Sequence, residues 1–176
     1  MSKAANATDM RLIAKDAEDL AIVAACLQDA LVPISEVQYL AGEQRFIMLL
    51  NRFRWERQPA GRHGPVTGKA STDDASFHDA DDYYDTEQRI HCGLCIDKVT
   101  SVRSRGVDLK QRGKFLSLLT LQIDGQNLNL VFSGGGIIQL TVSELNVFLK
   151  DMGEGWPTQW RPDHERDMAA AAKGRG

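Results

Sequence analysis

The most reactive side chains in the sequence crowd into residues 91–95, HCGLC, where Cys92 and Cys95 stand three apart with His91 beside them. That spacing serves a redox dithiol when it opens a helix after a strand. It makes half of a zinc site when a second close pair of Cys or His completes the set. Neither context is met. Residues Ile96 to Val102 read as strand, so side chains alternate: Ile90, Cys92, Leu94 and Ile96 on one face, His91, Cys95 and Asp97 on the other. Three residues of extended chain separate two Cα atoms by ~10 Å, whereas a disulfide needs less than ~7 Å. Only a bend at Gly93 would bring the thiols together. His63, His78 and His164 form no second close pair with another Cys or His. The segment is therefore expected to be structural strand, with no resident metal and no cofactor. A thiol- or metal-dependent enzyme centred on His91, Cys92 and Cys95 stands as the alternative.

Charge patterning offers a second chemistry. Residues 70–88 hold seven acids and no Lys or Arg, and residues 98–114 hold six bases against one acid, Asp108. Arg103 and Arg105 share strand parity, as do Arg52 and Arg54 on their own strand. If those two strands are neighbours, four guanidinium groups gather into a set that grips phosphate or carboxylate. Arg52, Arg54, Arg103 and Arg105 are thus the expected ligand-binding residues, and the expected partner is an anionic ligand or protein. The blander reading is a solvated rim balanced by the acidic segment. A net charge of −3 and a pI near 5.8 argue against nucleic acid, which remains an alternative through the basic segment 98–114.

Weaker patterns resolve as structure. GRHGPVTGKAS, residues 61–71, echoes a phosphate-binding loop but lacks its first glycine, its final hydroxyl and a following helix. SGGGIIQL enters a strand and reads as a glycine-rich turn. HDADDYYD, residues 78–85, lacks the spacing of a calcium loop and reads as a solvated acidic loop. Trp156 and Trp160 are expected to fold back over the core. There is no nucleophile elbow and no paired-histidine zinc helix.

The elements that would position these residues follow from periodicity. RLIAK is a short strand. Asp16 caps a helix, AEDLAIVAACLQDAL, with Leu20, Val23, Ala24, Leu27 and Leu31 on one face, and Pro33 stops it. Two apolar runs around Ala41–Gln44 form a hairpin, and polar, aperiodic residues 57–88 form a mobile insertion. FLSLLTLQI and NLNLVF flank Asp124-Gly125; a two-residue turn there pairs Leu121 with Leu128 and Thr120 with Asn129. IIQLTV is a strand. Thr141 and Glu144 fit a capping box for a last helix carrying Leu145, Phe148, Leu149 and Met152, with Gly153 as its C-terminal cap.

The stretch VTSVRSRGVD, followed by LVFSGGGIIQLTVSELNVFLKDMG, resembles an uncharacterised, mainly alphaproteobacterial family catalogued as a domain of unknown function. The likeness covers roughly residues 10–153. It implies a soluble bacterial protein and carries over no functional residue. The expectation is a single α+β domain over residues 10–153, with a tail at 154–176. Its mostly antiparallel sheet, of seven or eight strands, is curled or partly closed and is packed by two helices. With no apolar leader and no run near the ~20 residues that span a bilayer, a cytoplasmic protein is expected; its charge-segregated segments and lack of a recognisable catalytic set make a non-enzymatic binding module the expected function.

Overall fold

The computed structural model describes residues 10–55 and 88–157 of the chain. The 57–87 part of the expected insertion, the loop 61–71, the acidic loop 78–85, Trp160 and the tail beyond 157 lie outside the described residues. The described chain is predominantly β: ten strands in one open antiparallel sheet, with one α-helix.

Strand β1 (Arg11–Ala14) leads into helix α1 (Ala17–Leu27). Asp16 caps the helix, its Oδ1 accepting from the Asp19 N–H at 2.8 Å, and Leu20, Val23, Ala24 and Leu27 are buried. The helix stops four residues short of the expected Leu31. Asp29 takes a left-handed φ of +59°, and Ala30–Pro33 becomes β2. Residues Val37–Leu40 (β3) and Arg45–Phe53 (β4) form the expected hairpin. Then come β5 (Gln88–Ile96), β6 (Val99–Arg105), β7 (Phe115–Asp124), β8 (Asn127–Phe132), β9 (Ile137–Val142) and β10 (Val147–Pro157).

The ten strands exceed the seven or eight expected, and two further expectations are corrected. The β7–β8 register places Asp124 opposite Asn127 and Leu121 opposite Leu130, so the turn is Gly125-Gln126 rather than Asp124-Gly125. Gly125 supplies the φ of +57° at the turn. Because the pairing moves by two, side chains from Thr120 to Ile123 keep their faces; a bulge between Leu118 and Thr120 then turns Leu118 inward and Leu119 outward. The second helix is the larger error. Residues 147–157 form a strand, with Phe148 opposite Cys95 of β5 and Ile13 of β1. Val147, Leu149 and Asp151 are buried in alternation, a period of two that the helical spacing of Leu145, Phe148, Leu149 and Met152 imitated. Gly153, at φ +76°, lies in an irregularity of this strand between Met152 and Trp156 instead of capping a helix.

The sheet runs β1-β10-β5-β4-β2-β7-β8-β9-β6, with β3 attached to β4. β2 joins the two halves, meeting β4 at a single residue pair and β7 at four. One continuous apolar cluster fills the inside, drawing Phe46, Met48 and Leu94 from one half and Leu128, Leu130 and Leu140 from the other. The sheet curls enough for Val99, at the start of β6, to donate to the Gln44 carbonyl at 2.8 Å and to receive the Tyr39 hydroxyl at 3.1 Å.

Candidate functional site

The HCGLC segment is strand, as its alternation requires. Ile90, Cys92, Leu94 and Ile96 are buried, whereas His91 is exposed and Cys95 half-buried on the other face. None of the three cysteines is in a disulfide. Burial pushes the Cys92 thiol far up from its ordinary value, with Asp151 nearby adding to the shift against Arg52. Burial and the neighbouring Asp97 carboxylate also push Cys95 up. A nucleophilic or metal-binding thiol needs the opposite environment, one that favours thiolate.

The four arginines part into two sites, because β4 pairs with β3, β2 and β5 while β6 pairs with β9. Arg52 continues the inward row Phe46, Met48, Leu50 and is 0% exposed. Its Nε and Nη2 donate to Asp151 Oδ1 and Oδ2 at 2.8 and 2.7 Å, and Nη1 reaches the Phe53 carbonyl at 3.3 Å. Asp151 also accepts from the Met10 N–H at 3.2 Å, tying the start of the described chain to β10. Arg54 is buried beside Gln88, its N–H donating to the Gln88 carbonyl at 2.8 Å. Arg89 of β5, also buried but alternating with the inward Ile90, donates to the Asp29 and Asn51 carbonyls at 3.3 and 3.2 Å and lies over the Phe53 ring. Burial lowers its affinity for its proton, partly offset by Asp29. These groups tie β4, β5 and β10 of one half of the sheet to each other and to the turn at Asp29.

Arg103 and Arg105 stand on the opposite, outer face, where four strands present a polar lattice. One row crosses the sheet as Gln122, Asn129, Gln139 and Arg103; the next as Thr120, Val131, Ile137 and Arg105. A third row, Asp124, Asn127, Thr141 and Ser101, closes the lattice near the Gly125 turn. Gln139 Nε2 donates to Asn129 Oδ1 at 3.0 Å, and Ser101 Oγ to Thr141 Oγ1 at 3.0 Å. Arg103, Arg105, Gln122, Asn129, Val131 and Gln139 line a groove of about 450 Å³. Neither arginine has an ion-pair partner among the described residues.

Sequence reasoning missed the amides of this lattice and the buried Asp151 and Arg89. The signal was present as strand parity: Gln122, Asn129 and Gln139 each alternate with leucine or isoleucine, and Asp151 follows Val147 and Leu149 at intervals of two. Among the described residues, no group of three or more His, Cys, Asp and Glu is arranged to hold a metal, and no helix is long and apolar enough to cross a membrane.

A family model described as "Protein of unknown function (DUF2948)" matches residues 10–164. No curated protein and no solved structure matches the chain.

Proposed function

The chain belongs to this family of unknown function, and from that premise we propose that it is a binding module which grips an anionic ligand on the outer face of β7–β8–β9–β6. One observation carries the reading: two exposed guanidinium groups, without carboxylate partners among the described residues, flank a row of carboxamides in a groove. Guanidinium forks supply charge-assisted, directional donors for carboxylate or phosphate. Carboxamides supply donors and acceptors that orient such a group. Arg52 and Arg54, turned inward, serve the scaffold, so the ligand-binding role narrows to Arg103 and Arg105. The three cysteines, none of them in a disulfide, suit a reducing compartment, and we place the protein in the cytoplasm on that ground.

The test is an NMR titration of the full chain with citrate and with inorganic phosphate, following the amides of Arg103, Arg105, Asn129 and Gln139. Saturable shifts at these positions, lost in the Arg103→Glu/Arg105→Glu variant, are expected. Shifts that persist unchanged in that variant, or none at all at low salt, remove the proposal.

A further inference from the structure

We propose that β6 is a docking edge for an extended acidic peptide of a partner protein, which joins the sheet as one further antiparallel strand. The inference rests on the anion-binding reading, since it uses Arg103 and Arg105, and it adds the kind of ligand and the mode of entry.

Among the described residues, β6 closes one end of the sheet and pairs only with β9. The ladder shows which of its backbone groups are spent. Phe132 N–H donates to the Gly136 carbonyl and Val142 N–H to the Gln126 carbonyl, both at 2.8 Å. In an antiparallel pair, bonded and non-bonded positions alternate. The even-numbered residues of β9 therefore bond to β8, and Ile137, Gln139 and Thr141 turn their backbone groups toward β6. There they face Arg105, Arg103 and Ser101. Val102 and Ser104, between them, direct N–H and C=O to the outer edge, and neither has a partner there among the described residues. At Val99 the edge is closed by Gln44 and Tyr39. The open stretch therefore runs from Thr100 to Arg105.

Side chains decide what fits. Arg103 and Arg105 project to the outer face, and half-buried Val102 lies on the other face against the core. A second copy of β6 would bring arginine against arginine. An acidic strand brings carboxylates beside both, at Cβ separations of ~5 Å, and like and unlike charges at that spacing repel and attract accordingly. Residues of the incoming strand opposite Val102 and Ser104 face inward and are best small and apolar. The recognised pattern is thus acid, apolar, acid at intervals of two. Charged side chains on an edge also deter indiscriminate pairing, so the same arginines that attract this partner exclude neutral strands.

The probe is a fluorescein-labelled peptide, Glu-Val-Glu-Val-Glu with blocked ends, titrated against the full chain and read by anisotropy. Saturable binding is expected, at least tenfold weaker in Arg103→Glu/Arg105→Glu. Ser104→Pro removes one outward N–H without touching the β9 ladder and should weaken binding about fivefold, at an unchanged melting temperature. Two N-methylated peptides give a test that needs no protein variant. In an antiparallel strand the valine amides bond to β6, so methylating them should abolish binding, while methylating the glutamate amides leaves it intact. Equal binding by both methylated peptides, or none by the parent peptide at about 1 mM, overturns the docking edge. If citrate still shifts Arg103 and Arg105 in that case, the anion-binding reading survives alone; if citrate fails as well, both fall. A concentration-dependent dimer abolished by Ser104→Pro assigns the edge to a second copy and also overturns the proposal.

Discussion

Asp151→Asn is the perturbation whose cost is best fixed by the structure. Arg52 and Asp151 are 0% and 1% exposed, and they share two bonds at 2.8 and 2.7 Å. Asparagine keeps the shape and an acceptor for the Met10 N–H but removes the charge, so the guanidinium of Arg52 stays buried without its bidentate carboxylate. Breaking a buried pair in this way costs ~3–5 kcal/mol, a large fraction of the ~5–15 kcal/mol that holds a domain together. Urea unfolding should show that loss as a lower midpoint at an unchanged slope. At roughly 2–4 °C per kcal/mol for a chain of this size, the melting temperature should fall by about 10 °C. The control is Arg52→Met/Asp151→Leu, which removes both charges and fills the space with apolar atoms. That double variant should lie within about 2 kcal/mol of wild type, because the desolvation cost of the pair offsets much of its attraction. A loss under about 1 kcal/mol in Asp151→Asn, or a double variant as unstable as the single one, refutes the buried-charge account.

Three further outcomes follow from local geometry. Asp16→Ala should cost ~1 kcal/mol in urea unfolding, because its Oδ1 satisfies the Asp19 N–H at the start of α1. Gly136→Ala places a Cβ 2.7 Å from Val107 Cγ2 and should cost ~1–3 kcal/mol, most of it recovered in Gly136→Ala/Val107→Ala. Cys92 binds its proton more tightly folded than unfolded, its thiol being pushed up from about 9.0 by burial. The native state therefore holds the extra proton, and stability present at neutral pH declines once pH passes the unfolded value, by up to ~1.4 kcal/mol per pH unit. Urea midpoints between about pH 8 and pH 10 should fall more steeply in wild type than in Cys92→Ala; parallel slopes would refute the assignment.

Much of this architecture is legible in the sequence because strand parity is local. The opposed faces of Cys92 and Cys95, the Asp16 cap, the Ala41–Gln44 hairpin and the strand IIQLTV all follow from patterns a few residues long. The 147–157 strand was misread for the same reason. Phe148, Leu149 and Met152 satisfy a helical period over a short window, and the competing signal, Val147–Leu149–Asp151, ends on a charge whose partner lies 99 residues away. Arg52 shows the same limit in reverse. Its parity with Phe46, Met48 and Leu50 marks it as inward, yet a guanidinium there needs the carboxylate of Asp151 that β10 supplies.

The separation of the arginine pairs turns on a longer-range competition. β5 and β6 are joined by only Asp97 and Lys98, a link short enough for a hairpin, and Lys98 takes a φ of +63°. A hairpin nevertheless fails to form, because both edges of β5 are already taken: β4 pairs along one side from Phe46 to Phe53, and β10 along the other from Val147. With no free edge at β5, β6 must find its ladder elsewhere, and it does so on β9 at the far end of the sheet. That exclusion carries Arg103 and Arg105 away from Arg52 and Arg54 and sets them on a strand with one neighbour among the described residues. The open edge is thus a consequence of the crowded centre, and the same pairing that buries one arginine pair as scaffold leaves the other pair on an edge able to receive a strand.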